Sequence, residues 1–415
     1  MTVNTFLLSH PLTMERLTWI EESLKFFFVQ LYPETLVHQA KAESPLFTFL
    51  VTGDALYSLD DPETRQVWTI ILSLNSVRLV CDKQELDIRG ISLRPLMMQF
   101  PDQIVTANSI GSEGIPSFWR DAIALTRQSQ PPLPGTVGWF QTESPYMHRS
   151  AWHGLSFLSE ALGDRLSIEL YAYLDGVHMG HLVQAPTEDE NIGKTLEELD
   201  KRAAEYRLQS QFIACDRHAA ARGYSTWDDD QGSIISISAL KHFRIRDLGV
   251  MAERFRHNHI VLAPSSGSVR FLKKGAGPSF DRAEKSSISP PIVILVTNTP
   301  YSTGIVSGAI GFAVACAHAG ILTRVIFMEN GVYTLTGSHH IPGTSPVFNL
   351  QDMINTVAGN ENLHFFAFLP SLQKRGVTKD KALNSVLELG YPGLGKIFFY
   401  PPANVESDHQ RVLVF

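Results

Sequence analysis

The sequence has very little cysteine, with only Cys81, Cys215 and Cys316 among 415 residues. So few cysteines cannot form the disulfide framework that holds small secreted domains together. We therefore expect a cytoplasmic protein whose thiols stay reduced and available for chemistry. No cysteine pair or cysteine and histidine cluster has the spacing of zinc ligands, and the adjacent His339 and His340 are not expected to share one ion. Metal binding is not predicted.

Excess positive charge and long apolar runs are also lacking. The formal net charge is −7, whereas a protein that binds nucleic acid over a broad face normally carries a basic surface. No run of about 18 apolar residues occurs, so no membrane-spanning helix is expected. Glycine motifs that cradle phosphate or a dinucleotide are missing, and no cofactor is predicted. Hydrophobic residues make up 44% of the chain and charged residues 19%, which is typical of a soluble globular protein with two or three domains.

A pattern of three landmarks occurs three times along the chain. The first landmark is an apolar, strand-like run that ends in a proline: Phe6–Pro11, Trp139–Pro145 and Ile294–Pro300. The second is a short turn motif: Asp54–Tyr57, Asp175–His178 and Asn330–Tyr333. The third is an apolar strand that leads into an Arg-Gly pair: Val77–Ile91, Phe212–Tyr224 and Phe365–Val377. Strand and helix signals alternate within each repeat, as in a parallel sheet with helices on both faces.

We therefore predict an α/β protein of three tandem, doubly wound, mostly parallel-sheet domains that span residues 1–130, 137–265 and 290–415. Linkers are predicted at Arg127–Thr136 and Ser265–Pro291, which are rich in proline, glycine and serine. The last repeat shows the alternation most clearly. Its predicted strands are Pro291–Asn298, Thr323–Met328, Leu363–Phe368 and Arg411–Phe415, and its predicted helices are Ile305–Ala319, Leu350–Val357 and Lys379–Leu389.

The main candidate for chemistry is a cysteine at the end of the third-landmark strand. Cys81 and Cys215 end this strand in the first two repeats, whereas Phe368 holds the matching place in the third. In open α/β sheets functional groups gather beyond the carboxyl ends of strands, and a following helix N-terminus favours a thiolate. A strand-end cysteine can also be a small buried hydrophobe. Recurrence beside an Arg-Gly pair favours chemistry for Cys215 and leaves both interpretations open for Cys81.

Five further residues are predicted to support the site: Arg217, His218, Arg222, Asp175 and His178. The cations among them would favour a thiolate at Cys215, whereas the charge of Asp216 opposes it, so the direction of the net pKa shift is not predicted. The turn residues would line the site beside the thiol. Cys316 lies within an apolar helix and is predicted to pack there.

The order of these motifs resembles the DsrE/TusD family of sulfur-relay proteins. TNTPYSTGIVSGAIGFAVACAHAG followed by VIFMENGVY, within residues 297–333, looks like the opening half of the family. Ile213–Tyr224 resembles its active-site segment, with Cys215 at the sulfur-accepting cysteine, and the final DHQRVLVF resembles its terminal strand. The resemblance covers most of the chain in three copies, of which the first is the weakest.

This resemblance implies a doubly wound α/β fold and a sulfur carrier or sulfurtransferase. Such a protein takes persulfide sulfur from a donor protein and passes it to a small carrier of the DsrC/TusE kind. Family members commonly form DsrEFH or TusBCD complexes of three related subunits, so three fused units would mimic one trimer and a homodimer would mimic the hexamer. Two departures are visible. Phe368 cannot carry sulfur, and Arg89 follows Cys81 by eight positions whereas Arg222 follows Cys215 by seven.

Two other interpretations stay open. The chain could be a non-catalytic scaffold or binding protein in which the cysteines only pack. It could also be an enzyme of another class on an α/β scaffold, such as a reductase or a hydrolase. The absence of a Gly-x-Ser-x-Gly motif, a dinucleotide fingerprint and a metal triad argues against that second alternative. Neither nucleic acid nor a membrane is expected as a direct partner.

Overall fold

The computed structural model describes residues 4–31, 45–74, 76–109, 111, 117–128, 135–187, 190–228, 230, 232–258, 260–272, 289–301, 303–337, 339, 349–403 and 405–415. Most of each predicted linker lies outside the described residues, namely 129–134 of Arg127–Thr136 and 273–288 of Ser265–Pro291. His340 lies outside them as well. Every statement below concerns the described part of the chain.

Strands and helices both occur from the first described residues to the last. The strands are β1 Asn4–Leu8, β2 Phe47–Val51, β3 Val77–Asp82, β4 Ile104–Ala107, β5 Thr136–Gln141, β6 Ser167–Ala172, β7 Ser210–Cys215, β8 Thr226–Asp228, β9 Ser233–Ile235, β10 Phe243–Arg246, β11 Ile260–Leu262, β12 Ser266–Arg270, β13 Ile292–Val296, β14 Thr323–Phe327, β15 Leu363–Phe368, β16 Val386–Leu389 and β17 His409–Val414.

The α-helices are α1 Met14–Phe26, α2 Tyr57–Asp60, α3 Pro62–Leu72, α4 Lys83–Arg89, α5 Arg94–Gln99, α6 Arg120–Gln128, α7 Ser150–Gly163, α8 Ile192–Glu205, α9 Asp216–Ala221, α10 Leu248–His257, α11 Ile305–His318, α12 Leu350–Val357, α13 Leu369–Lys374 and α14 Tyr391–Phe399. A π-helical turn, Phe27–Leu31, extends α1. Three 3₁₀ turns occupy Gly53–Leu56, Leu174–Gly180 and Glu329–Leu335.

The strands form two large, mostly parallel sheets, which confirms the predicted α/β class. A five-stranded parallel sheet has the order β10-β7-β6-β5-β11, and a ten-stranded sheet has the order β16-β15-β14-β13-β17-β12-β1-β2-β3-β4. We call β1–β4, β5–β11 and β13–β17 the N-terminal, central and C-terminal groups. The central and C-terminal groups have the same strand order, β10-β7-β6-β5-β11 in one and β16-β15-β14-β13-β17 in the other. The strands β8 and β9 form a separate hairpin. Alternate residues of one strand enter different hydrophobic cores, so the sheets are covered on both faces.

The predicted linker Ser265–Pro291 is wrong at its start, because it contains β12. This strand pairs antiparallel with β1 on one side and with β17 on the other. It fills the place beside β1 that β11 fills beside β5 and that β17 fills beside β13. A side chain at Gly267 would place its Cβ 2.5 Å from the Phe6 ring, so a close approach of β12 and β1 requires glycine here. The N-terminal group therefore takes its fifth strand from the chain segment that follows the central group.

The predicted helix Lys379–Leu389 is also wrong. The chain forms turns and then β16, whose Val386 and Leu389 are buried beside β15. The Asp380 side chain accepts a hydrogen bond from the backbone N–H of Ala382 at 2.8 Å, and such local bonds compete with a helix. The strands β13, β14, β15 and β17 and the helices α11 and α12 confirm the other predictions for this repeat to within three residues at each end.

Each second-landmark turn begins with a residue in the left-handed region. The φ angles are 55° at Gly53, 51° at Leu174 and 48° at Glu329. In the last two turns a glycine follows two residues later, and a Cβ at Gly331 would lie 2.0 Å from the carbonyl oxygen of Val296. The turn is thus pressed against the end of the first strand of its group, which confirms the predicted turns and explains the glycine.

The first helix of each group covers the carboxyl end of another group's sheet. In the N-terminal group Thr52 contacts His153 of α7, with 3.1 Å between Thr52 Oγ1 and His153 Nε2. In the central group the hydroxyl of Tyr173 donates to the carbonyl of Gly308 in α11 at 2.9 Å. The C-terminal group is covered by α1 through an ion pair of Glu329, described below. The three groups therefore contact one another in a closed cyclic order, as subunits do in a ring.

Candidate functional site

The third strands of the three groups end at equivalent positions. Their last residues are Asp82, Cys215 and Phe368, each seven positions before the arginine of its Arg-Gly pair. Each also lies at the same place beside the next strand, where the paired residues are Ala107, Arg246 and Leu389. The counterpart of Cys215 in the N-terminal group is therefore Asp82, and the prediction that Cys81 and Cys215 hold the same place is wrong. By the same registers Cys81 corresponds to Ala214 and Ala367.

Cys81 and Cys316 are both inside hydrophobic cores and have no solvent exposure. Burial raises the pKa of the Cys81 thiol well above its usual range, and the charge of Asp82 raises it further. Burial likewise raises the pKa of the Cys316 thiol. Such inert, protonated thiols behave as packing residues. The prediction that Cys316 packs is consistent with this environment, and Cys81 has the same environment.

Cys215 occupies the N-cap position of α9, directly at the carboxyl end of β7. Burial is the largest influence on its pKa and raises it, while the nearby backbone N–H groups of His218 and Arg217 lower it. The charge of Asp216 raises the pKa, and the thiol donates to Asp216 Oδ1 at 3.8 Å. The net direction is upward. The side chain has 0% exposure, so in this conformation the thiol is protonated and covered.

The arginine of the Arg-Gly pair holds the second-landmark turn in every group. It donates to the carboxylate or amide oxygen of the turn residue in three equivalent pairs: Arg89 with Asp54, Arg222 with Asp175, and Arg375 with Asn330. The pair occurs in the C-terminal group, which has no cysteine at the strand end. Arg222 and Asp175 therefore lock the turn to α9, and the Arg-Gly pair is not in itself a mark of a reactive cysteine.

Two histidines beside α9 are neutral near pH 7. Burial and the charges of Arg222 and Arg217 lower the pKa of His218 to about 4. Its ring packs edge-on against Tyr173, with 4.4 Å between the ring centroids. Burial also lowers the pKa of His178, whose Nδ1 lies 2.6 Å from the hydroxyl of Tyr224. Of the predicted supporting residues, Arg217 and His218 follow the thiol directly in α9 and act on its pKa. His178 lies within the 3₁₀ turn and contacts Tyr224 instead.

Helix α11 forms the cover over the Cys215 position. Gly308 lies so close to the turn that a Cβ there would be 2.8 Å from Leu174 Cδ2, and Tyr173 bonds to the Gly308 carbonyl. A cavity of about 940 Å³ opens beside this contact, between α10, α11 and α12, and Arg217 lines it. Cys215 itself does not line the cavity. Neither Tyr173 nor the cover was predicted, since sequence spacing gives no sign of contacts between groups.

The equivalent position in the N-terminal group is a fully bonded carboxylate. Asp82 Oδ1 accepts from the backbone N–H groups of Gln84 and Glu85 at 3.1 and 3.4 Å. Its Oδ2 accepts from the hydroxyls of Thr52 and Ser109 at 3.2 and 2.7 Å. A carboxylate with four donors is a structural helix cap. In the C-terminal group, Phe368 is buried against Tyr391 and offers no reactive group.

Glu85, at the contact between the N-terminal and central groups, should make stability depend on pH. Burial alone raises its pKa, but hydrogen bonds and charges from His153 and Arg149 outweigh burial and lower the pKa from 4.5 to about 2. A lowered carboxyl pKa contributes stability that is present above the ordinary value and is lost as the pH falls. We expect Glu85→Gln to cost about 3 kcal/mol at neutral pH. The stability difference between the variant and the wild type should close as the pH falls from about 4.5 to 2, measured by denaturant unfolding. A stability difference that stays unchanged over this pH range would contradict the role of the Glu85 carboxylate. An equal loss of stability from the exposed Glu198→Gln would contradict it as well.

Metal and membrane signals do not arise in the part of the chain that the structure describes. No three histidine, cysteine, aspartate or glutamate residues there are grouped so as to hold an ion. His339 Nε2 instead contacts the carbonyls of Tyr333 and Thr336, each at 3.1 Å. Among the described helices, none combines the length and the apolar character needed to cross a membrane.

Comparison with known proteins identifies one family for one part of the chain. Residues 291–396 match the DsrE/DsrF-like family, which confirms the resemblance predicted for the last repeat. The matched segment contains Phe368 but neither Cys81 nor Cys215. The chain is also similar to the crystal structure of the YchN protein of E. coli, with 21% identity, a TM-score of 0.25, and coverage of 32% of this chain and 99% of that chain. No curated protein matches the chain. The resemblance of the first two repeats stays a prediction.

Proposed function

We propose that the protein is a sulfur carrier that accepts persulfide sulfur on Cys215 and passes it to an acceptor thiol. The observation that carries the proposal is the place of Cys215 at the carboxyl end of β7 and the N-cap of α9, where the backbone N–H groups of His218 and Arg217 favour the charged form of its sulfur. These donors stabilise a thiolate or a persulfide anion once it forms. The family match of residues 291–396 supports a role in sulfur relay. Three DsrE-like units at residues 1–130, 137–265 and 290–415, with β12 reaching back from the second boundary, are part of the proposal.

The proposed reaction is thiol–persulfide exchange. The Cys215 thiolate attacks the outer sulfur of a donor persulfide, the donor S–S bond breaks, and the donor leaves as a thiolate. The acceptor thiolate then attacks the outer sulfur of the Cys215 persulfide and releases the Cys215 thiolate. The transferred sulfur keeps its oxidation state throughout, so no external oxidant or reductant takes part.

Burial of Cys215 sets a condition on this mechanism. The sulfur has no exposure, and its pKa is raised, so both access and ionisation limit the rate. Loading therefore requires that the contact of Tyr173 and Leu174 with α11 opens. Binding of the donor protein would supply the free energy for that opening. A donor protein, a DsrC/TusE-like acceptor and a homodimer of chains are the partners of this proposal.

A non-catalytic scaffold is the second candidate, and the same burial favours it. Cys215 lies in a hydrophobic core with Tyr173 and Phe312, and the Arg222 and Asp175 pair has equivalents in groups without a strand-end cysteine. On this alternative the three groups only present surfaces to partners. Replacement of Cys215 by serine would then leave every activity of the protein intact.

Intact-protein mass spectrometry after incubation with a low-molecular-weight persulfide distinguishes the two candidates. We expect the wild type, Cys81→Ser and Cys316→Ser to gain the mass of one sulfur atom, because Cys215 is intact in each. Cys215→Ser should gain none. If Cys215→Ser still gains a sulfur atom and Cys81→Ser does not, the site lies in the N-terminal group. If no variant takes up sulfur while its thiols are shown to be reduced, the scaffold interpretation prevails.

A further inference from the structure

The central group carries positive charge beside Cys215 that the other two groups lack. In the parallel pairing of β7 with β10, Arg246 lies beside Cys215 and Arg244 beside Ile213, on the same face of the sheet. The residues at the Arg246 position in the other groups are Ala107 and Leu389. At the Arg244 position they are Val105 and Leu387. The positive charge is thus specific to the central group, whose third strand ends at Cys215.

Four exposed cations form what we call the basic rim: Arg217, Lys241, Arg244 and Arg246. Within the described residues, no member of the basic rim forms an ion pair with a carboxylate. The whole chain has a net charge of −7, so this local excess opposes the overall balance. Charges on an edge strand often prevent unwanted strand pairing. The edge strand β4 has no charged residue and the edge strand β16 has only the acidic Glu388, so positive charge is not a general edge device of this fold.

Exposed apolar residues lie in the chain segment that leads into the basic rim at Lys241. Within the part of the chain that the structure describes, only the central group inserts a hairpin, β8–β9, between α9 and its edge strand β10. Trp227 and Ile234 are paired across the hairpin and are 59% and 38% exposed. Ile237 is 93% exposed. The segment after the hairpin bonds to the segment after the 3₁₀ turn, from the Leu182 N–H to the Ser238 carbonyl at 2.7 Å. We call the five exposed apolar residues of the hairpin and of these two bonded segments the apolar patch: Leu182, Val183, Trp227, Ile234 and Ile237.

We propose that the apolar patch and the basic rim together dock an acidic, thiol-bearing protein surface whose sulfur exchanges with Cys215. This inference rests on the proposed function and names the chemistry of the partner. Charge complementarity selects the occupant, because the basic rim lies beside the thiol and none of its members forms an ion pair within the described residues. The apolar patch supplies the contact area, and an isolated two-stranded hairpin with an uncovered apolar face gains stability when it is covered. A protein fits better than nucleic acid, since half of this surface is apolar and uncharged.

Two cysteine peptides of equal length test the proposal, one rich in glutamate and one rich in lysine, each with leucines for the apolar patch. Transfer of sulfur from the loaded protein to each peptide is followed by mass spectrometry. We expect faster transfer to the glutamate-rich peptide at low salt, and a smaller difference at high salt because the charges are exposed. Arg244→Glu with Arg246→Glu should lower that rate by about tenfold or more, as expected for reversed electrostatic steering. Ile237→Ser should lower transfer to both peptides.

The matched control is Lys201→Glu with Lys396→Glu, which changes the net charge equally at exposed sites away from β10 and should leave transfer unchanged. Serine versions of both peptides, labelled with a fluorophore, measure binding to the unloaded protein by anisotropy. If the wild type binds the glutamate-rich serine peptide and the variant Arg244→Glu with Arg246→Glu does not, docking is supported, whether or not Cys215 takes up sulfur. Failure of Cys215 to take up sulfur would refute the sulfur-carrier function separately. Equal binding of the two peptides, or binding of a short RNA in preference to both, would overturn the docking proposal.

Discussion

Replacement of Glu329 by alanine is expected to lower the free energy of unfolding by about 3–5 kcal/mol, because it leaves a buried guanidinium without its partner. Arg16 of α1 forms a two-point ion pair with Glu329, with Nε to Oε1 at 2.8 Å and Nη2 to Oε2 at 3.0 Å. Both side chains are about nine-tenths buried. The Trp19 indole also donates to Glu329 Oε1, at 3.4 Å. Denaturant unfolding of Glu329→Ala beside the wild type measures the effect.

The proper comparison for this variant is an exposed ion pair of similar length. Asp408 lies 3.0 Å from Arg270 with both side chains about half exposed, and Asp408→Ala should cost less than about 1 kcal/mol. Alanine at position 329 keeps the left-handed backbone that glutamate already adopts, so the backbone strain is the same in both proteins. The double variant Arg16→Ala with Glu329→Ala should lose less than the sum of the two single losses. Additive losses would show that the pair does not act as a unit.

The ion pair is one part of a larger contact between α1 and the C-terminal group. Arg375 donates to both carboxylate oxygens of Glu15 at 3.0 Å, and Ser371 Oγ donates to Glu15 Oε1 at 2.6 Å. The other two covers in the cyclic order use different chemistry, a histidine and glutamate network over Asp82 and a glycine-rich helix face over Cys215. The apolar cover, helix α11 with Gly308 at the contact, lies over Cys215. Polar covers occur where the strand end carries no thiol.

The sequence predicted the parts of the fold that depend on local pattern. Continuous β-branched runs such as β13, and the spacing from the proline through the turn to the Arg-Gly pair, indicated parallel α/β repeats. The pattern failed where a short segment is fixed by distant partners. β16 has four residues and is held by β15, while the side chain of Asp380 turns the chain ahead of it. Intrinsic propensity cannot decide such a segment.

The candidate site was predictable only in part, for a similar reason. The alignment of Cys81 with Cys215 depended on a count from the Arg-Gly pair, and the difference of one position was visible in the sequence. In a strand a shift of one residue moves a side chain to the opposite face of the sheet. Asp82 therefore holds the equivalent place, and Cys81 points into the other core. The exposure of Cys215 could not be predicted at all, because α11, which covers it, begins ninety positions later in the chain.

Ser268→Pro is expected to lower the free energy of unfolding by about 3 kcal/mol or more, since proline removes an N–H donor from a strand bonded on both sides. Ser268 lies in the middle of β12, opposite Thr5 of β1 and Arg411 of β17. The strand alone joins the N-terminal and C-terminal halves of the ten-stranded sheet. Hydrogen exchange should therefore become faster in β1 and β17 of the variant, but not in the central five-stranded sheet. Ser268→Val is the matched control, because valine keeps the donor and suits a strand. Equal stability of the proline and valine variants would mean that the halves hold together through the helix covers, and that β12 only fills a gap between them.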